Sequence, residues 1–160
     1  MAPKLRANLT QRIIAGAVAG LPAGVAHALV NEIDRKAFRY DSDDMVMVTG
    51  FFMDDRSRAR LPGFFLHLSF AMAFGIGYAV VLNPRDDDDA VIRGIGAGVV
   101  ENAFLWPLVG PLDDHHPYIR SGRVDRFNHP IALIQANLRH VALGYALGKA
   151  YPAILRRLRR

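Results

Sequence analysis

His67-Leu-Ser-Phe-Ala71-Met-Ala73-Phe-Gly75-Ile-Gly77-Tyr78-Ala-Val-Val-Leu82 aligns without a gap on His140-Val-Ala-Leu-Gly144-Tyr-Ala146-Leu-Gly148-Lys-Ala150-Tyr151-Pro-Ala-Ile-Leu155. Both copies read His, small, Ala, Gly, small, Tyr, aliphatic, Leu. Upstream of each, Gly20-Leu-Pro-Ala23-Gly24-Val25-Ala-His27 matches Gly94-Ile-Gly-Ala97-Gly98-Val99-Val-Glu101, so Glu101 stands where the first copy has His27. The pattern predicts a duplicated helical hairpin, the first copy over residues 13–82 and the second over 91–155, within one domain of residues 1–160. Duplicating a pair of helices restores the chain direction, so in a bilayer the copies would be parallel repeats about an axis along the membrane normal.

The composition sets the solvent. Hydrophobic residues make up 51% of the 160, beside a formal net charge of +5, and mean hydropathy is +0.12. The charges are sorted: Ile13 to Val30, Pro62 to Leu82, Val91 to Val109 and Ile131 to Leu155 are mostly apolar, each about the 20 residues needed to cross ~30 Å of hydrocarbon. A water-soluble four-helix bundle would carry a charged face on every helix. These segments are apolar all round, which predicts an all-α protein of four transmembrane helices. There is no cysteine, and so no disulfide, thiolate metal site or Cys nucleophile.

Lys4, Arg6 and Arg12 at one terminus, and Arg156, Arg157, Arg159 and Arg160 at the other, stand free of acidic neighbours. Together they predict that both termini lie in the cytoplasm. Directly after an apolar helix, the last four arginines read as a headgroup anchor, not a nucleic-acid site. The opening run up to Ala26-His27-Ala28 has the form of a secretory signal, but its removal would delete the first helix of one repeat. Between the first two segments lies a charged loop, residues 31–61, enclosing the short apolar stretch Met45 to Met53. That stretch is too short to span and is expected in the interface or against the bundle. Asp86-Asp87-Asp88-Asp89 lacks the alternation of a calcium loop and reads as a solvated cluster opening the third helix.

Small residues recur every fourth position: Gly16-x3-Gly20-x3-Gly24, Ala71-x3-Gly75, Gly94-x3-Gly98 and Gly144-x3-Gly148. In lipid, where apolar attraction between helices is absent, such spacing lets backbones pack closely. Gly94-x-Gly96-x-Gly98 has neither the spacing nor the preceding strand of a nucleotide loop. Pro22 and Pro107 are expected to kink their helices.

His27, His67, Glu101 and His140 fall inside the apolar segments, where an ionisable group is costly and is a functional candidate by default. Three readings stand open. The four could form a first shell for a divalent metal such as Zn²⁺ or Fe²⁺, or a proton or ion site. His67 and His140, related by the repeat, could be axial ligands of a b-type haem. Or the contacts are structural, with Glu101 paired to Arg139 and each His bonded to a hydroxyl or carbonyl. Asp113-Asp114-His115-His116 could hold a metal but is expected to be a surface loop. No hydrolase triad is present, and the chain is expected to be non-enzymatic.

The run His67 to Leu82, Gly94 to Gly98, the segment Trp106-Pro107-Leu-Val-Gly-Pro-Leu112, a polar loop, a His-bearing last helix and a basic tail together resemble the YagU-type bacterial inner-membrane proteins. The resemblance covers most of the chain from the first helix onward. It implies a bacterial inner-membrane location and a link with acid stress and supplies no catalytic residues, and the chain is expected to be an accessory or stress-related membrane protein. Self-association, membership of a larger membrane complex, and a small oligomeric transporter are the other roles compatible with such a chain.

Overall fold

A computed structural model describes residues 7–84 and 87–160, so Lys4, Arg6, Arg85 and Asp86 lie outside the described residues. The regular secondary structure of the described residues is all helical: α1 (Leu9–Phe38), α2 (Arg56–Gly77), α3 (Asp87–Leu105), α4 (Val109–His115), α5 (Pro117–Arg120) and α6 (Pro130–Leu158). Local chemistry fixes the ends. Asn8 and Gln11 form a reciprocal capping box on α1, the Asp55 carboxylate accepts the Ser57 and Arg58 amides at the start of α2, and the His129 ring caps α6 ahead of Pro130. Each satisfies amides that have no partner within the helix.

The helices run longer than the apolar segments suggest, because charged turns at their ends remain helical outside the apolar stretch. Among the described residues, three are long and apolar enough to cross a membrane: Leu9–Phe38, α2 with its extension to Leu82, and α3 with its continuation to His115. α6 has the length, with 29 residues, but Gln135, Asn137, Arg139 and His140 lower its hydropathy. The expected kink at Pro22 does not break α1, which continues through it. At Pro107 the helix tightens into a 3₁₀ turn, Trp106–Leu108, before α4 resumes. α2 ends in a π-helical turn, Tyr78–Leu82. Arg12 reaches across to donate to the Ala79 and Val80 carbonyls there, which offsets the looser backbone bonding.

Size is distributed inside out relative to a water-soluble fold. On α1, Ala15, Ala19 and Ala23 are buried, whereas Ile14, Val18, Leu21, Val25 and Leu29 are exposed. Large outward apolar side chains over a core of small ones are what close helix packing in lipid requires. The closest approaches are backbone to backbone. A Cβ placed on Gly16 would fall on the Gly75 carbonyl, and one on Gly20 would fall on the Ala71 carbonyl, which locks α1 to α2. Between α3 and α6, Gly94 meets the Gly144 carbonyl in the same way, and a Cβ on Gly148 would lie 2.6 Å from the Ala90 carbonyl oxygen. Gly24 abuts Ala71 and Leu68, and Gly98 abuts the His140 carbonyl.

α1 also packs along α6, but α2 and α3 have almost no direct contact among the described residues. They come together at one end, where the Tyr78 hydroxyl donates to the Ala90 carbonyl at 2.6 Å. There the Tyr78 ring meets that of Tyr151 edge-on, with centroids 5.5 Å apart. Towards the other end the two helices leave a cleft between them.

That other end is closed by a polar cap. Met45, Val46, Thr49 and Gly50 are buried, so the apolar stretch in the first loop packs against the bundle. It is joined by a small core of Val46, Ala59, Tyr118, Val124 and Phe127. The loop expected at Asp113 to His116 is instead largely the end of α4. Asp113 and His116 are both buried, a correction with a clear physical reason. The Asp113 carboxylate accepts the Phe127 and Asn128 amides at 2.8 Å each, and His116 takes the Tyr118 amide at 3.2 Å on Nδ1 with Nε2 against the Val46 carbonyl.

Candidate functional site: a histidine and carboxylate cluster in a lateral cleft

The cleft between α2 and α3 has a volume of about 500 Å³. Phe70 and Leu105, one on each helix, line it and are exposed at its mouth. Its back is α6, through Ala132, Ala136 and Leu143, and its roof is the cap, through Asp44, Met45 and Met47.

His27, His67, Glu101 and His140 all line this cleft, each from a different helix. The His27 ring centroid lies 4.3 Å from that of His67 and 5.2 Å from that of His140. Helix spacing explains the aim. Gly24 and Gly98, the contact points of the two hairpins, stand one turn before His27 and Glu101, so close backbone packing brings these side chains to the middle of the bundle.

Glu101 is the partner of His140, with Oε2 2.8 Å from Nε2. The other ring nitrogen of His140 lies 2.7 Å from the Ala136 carbonyl. Both partners are acceptors, so one proton must sit on Nε2 or on the carboxyl for the pair to bond. The expected Glu101–Arg139 pair is not formed. Arg139 is held by Asp34, to which it donates at 2.6 and 2.7 Å, and by Asp44 at 2.9 Å. Its side chain points into the cap. Asp44 also faces His27, with Oδ2 3.6 Å from Nε2. The cluster therefore continues from Glu101 through His140 and His27 to Asp44 and Arg139.

Two nitrogens in it, His27 Nδ1 and His67 Nε2, are buried without a hydrogen-bond partner. A buried polar atom left unpaired normally costs about 1–3 kcal/mol, so these are places where a proton, water or ligand would be stabilised. A metal shell is a poorer fit. No three His, Asp or Glu side chains among the described residues are arranged to hold an ion. A haem between His67 and His140 meets the same obstacle, because both nitrogens of His140 are engaged.

Above the cluster, the cap is an ionic lattice. Fully buried Asp43 is met by Arg35 at 3.0 Å, Arg56 at 3.1 Å and Arg60 at 3.2 Å, and Asn31 donates to it at 3.2 Å. Burial disfavours the charge on neighbouring Asp41, but hydrogen bonds from Arg56 and the charge of Arg35 outweigh this and hold its carboxyl below the ordinary value. Burial also pushes the Tyr40 phenol up to about 12, with Asp125 and Asp113 adding to it.

Asp34 and Asp44 are the members that sequence reasoning missed. Asp34 was legible: His27, Asn31 and Asp34 are spaced four and three apart and so share one face of α1, and all three are buried. Asp44 had no local signal, since it reaches the cluster only because the 3₁₀ turns fold back over the bundle.

Comparison of the chain with protein-family models, with curated proteins and with solved structures gave no match.

Proposed function

We propose that this chain is a non-enzymatic polytopic protein of the bacterial inner membrane, whose helices hold a proton-binding cluster of His27, His67, His140 and Glu101 in a lipid-facing cleft. The observation that carries the reading is the meeting of three imidazoles and a carboxylate, from four separate helices, with two imidazole nitrogens left unpaired. An unperturbed histidine changes its charge between about pH 5 and 8, the range that an acidified cell envelope traverses, and the carboxylate of Glu101 against His140 gives the cluster a place to hold the proton. The resemblance to YagU-type proteins points the same way, towards a role in acid stress.

In this reading α6 is the fourth span, with Gln135, Arg139 and His140 tolerated because they face Asp34, Asp44 and Glu101 and Asn137 because it bonds the Leu133 carbonyl of its own helix. The duplicated hairpin is supported by matched contacts. Gly16 meets Gly75 as Ala90 meets Gly148, and Gly20 meets Ala71 as Gly94 meets Gly144, all pairs that the sequence repeat makes equivalent. The basic ends of α1 and α6 support cytoplasmic termini.

The test is nuclear magnetic resonance of ¹⁵N-histidine protein in lipid nanodiscs, titrated from about pH 8 to about pH 5. The His140 imidazole should change protonation, and Glu101→Gln should shift its titration. A His140 imidazole that keeps one protonation state throughout, or that ignores Glu101→Gln, would overturn the proposal.

A further inference from the structure

The electrostatic balance of the cleft selects a ligand charge. From α6 comes one permanent cation, Arg139, which Asp34 of α1 already neutralises through two hydrogen bonds. Asp44 of the cap shares Arg139 at 2.9 Å and is left as a surplus carboxylate, and Glu101 of α3 is bonded to His140 of α6 at 2.8 Å, a pair that is neutral while it holds one shared proton and negative without it, beside the imidazoles of His27 on α1 and His67 on α2. With neutral imidazoles the cluster is net negative, and with all three protonated the sign reverses. An anionic headgroup is thus disfavoured in the state that prevails above the histidine range, and a cation is favoured.

The walls agree with this sign. Phe70, Phe74, Trp106 and Phe127 line the cleft, and aromatic faces attract organic cations most strongly where water is scarce. The volume, about 500 Å³, falls within the range of small-molecule sites, ~300–1,000 Å³, which are mostly apolar with a few convergent polar groups. Because α2 and α3 stand apart, the opening lies on the side of the bundle, the route by which a molecule dissolved in lipid would enter.

We infer that the cleft binds a lipophilic organic cation, with its charge against Glu101 and its apolar groups between the aromatic walls, in competition with protons on the histidine cluster. The inference rests on the proton-binding reading above and adds to it the class of ligand. By linkage, each proton that the cluster takes up must weaken cation binding, and each bound cation must weaken proton uptake by the same factor.

Trp106 is the chain's single tryptophan and lines the cleft, so its emission reports occupancy directly. The probes are tetraphenylphosphonium and its anionic isostere tetraphenylborate, titrated into protein in nanodiscs of zwitterionic lipid, with empty nanodiscs giving the partition baseline. Tetraphenylphosphonium should saturate the Trp106 signal at about pH 8 and bind about tenfold more weakly at about pH 5.5. Glu101→Gln should weaken binding at the higher pH and flatten the dependence, and Ala136→Phe, which fills the back of the cleft, should abolish it. Equal binding of tetraphenylborate, no change with pH, or a response no larger than partitioning would overturn the inference. The isostere comparison uses the unaltered protein, so the outcome stands even if Ala136→Phe fails to fold. Imidazoles that titrate by nuclear magnetic resonance while the cation fails to bind would refute the ligand alone and leave the proton site standing.

Discussion

Replacing Arg139 by methionine tests the ionic core most directly. The side chain is 1% exposed and Asp34 is 3% exposed, and the guanidinium donates to both Asp34 oxygens, to Ser42 at 3.2 Å and to Asp44. Methionine keeps most of the apolar stem and removes every one of these bonds. Two carboxylates then remain without their counter-charge, one fully buried and one lining the cleft. Breaking a buried pair from one side costs about 3–5 kcal/mol, and the shared hydrogen bonds to Ser42 and Gln135 place the expected value in the upper half of that range. Reversible denaturation in mixed micelles, followed by helix circular dichroism, measures it. A second variant, Arg139→Met with Asp34→Leu, removes cation and anion together and should recover at least half of the loss, because no orphan charge is left on α1. A single-variant cost below about 1 kcal/mol, the scale of an exposed pair, would show that water reaches this network and would refute the buried arrangement. Failure of the double variant to recover would show that Arg139 acts through packing instead of charge.

Three further outcomes follow from the geometry. Gly20→Val and Gly94→Val place side chains on opposing carbonyls in equivalent contacts, and each should cost about 1–3 kcal/mol. Gly96→Val, which meets nothing within 4 Å, should be near neutral in the same denaturation assay. His116 has its ring pKa lowered, first by burial, so the unfolded chain binds the proton more readily. Its contribution to cap stability is intact above about pH 6.5, the ordinary histidine value, and is lost as pH falls below it. The protection of the Tyr118 to Val124 amides, taken relative to their intrinsic exchange rate at each pH, should fall on acidification, and His116→Asn should remove that dependence. Reporter fusions to the C-terminus should read as cytoplasmic, and an external signal would invert the proposed orientation.

How much of this was legible in the sequence differs by scale. Helical class, the small-residue contact points and the four ionisable residues of the cleft were readable because each follows from spacing on a single helix. Gly16, Gly20 and Gly24 repeat with the period of one face, and the apolar runs leave His27, His67, Glu101 and His140 conspicuous. Partner choice was not readable. Glu101 and Arg139 were the natural pair by charge and depth. The fold gives Arg139 to Asp34 and Asp44, because the first loop doubles back over the bundle in two 3₁₀ turns, a path set by the buried contacts of Met45, Val46 and Thr49. The same holds for Asp113 and His116, which read as loop until the Phe127 and Asn128 amides are known to face them. Long-range return of the chain, not local propensity, decides these contacts.

The separation of α2 from α3 has a consequence for stoichiometry. A bundle made of two like hairpins with perfect twofold closure would carry two identical crevices or none at all, and any occupant would bind in pairs or be shut out. Here the α1 and α6 side is sealed by tight packing, while the α2 and α3 side is open except at its Tyr78–Leu82 end, where the Tyr78 hydroxyl and Arg93 tie the two together. The α1 and α6 side thus offers no counterpart of this cleft among the described residues, and His27 at one position with Glu101 at the matching one gives the cleft a distinct acidic wall.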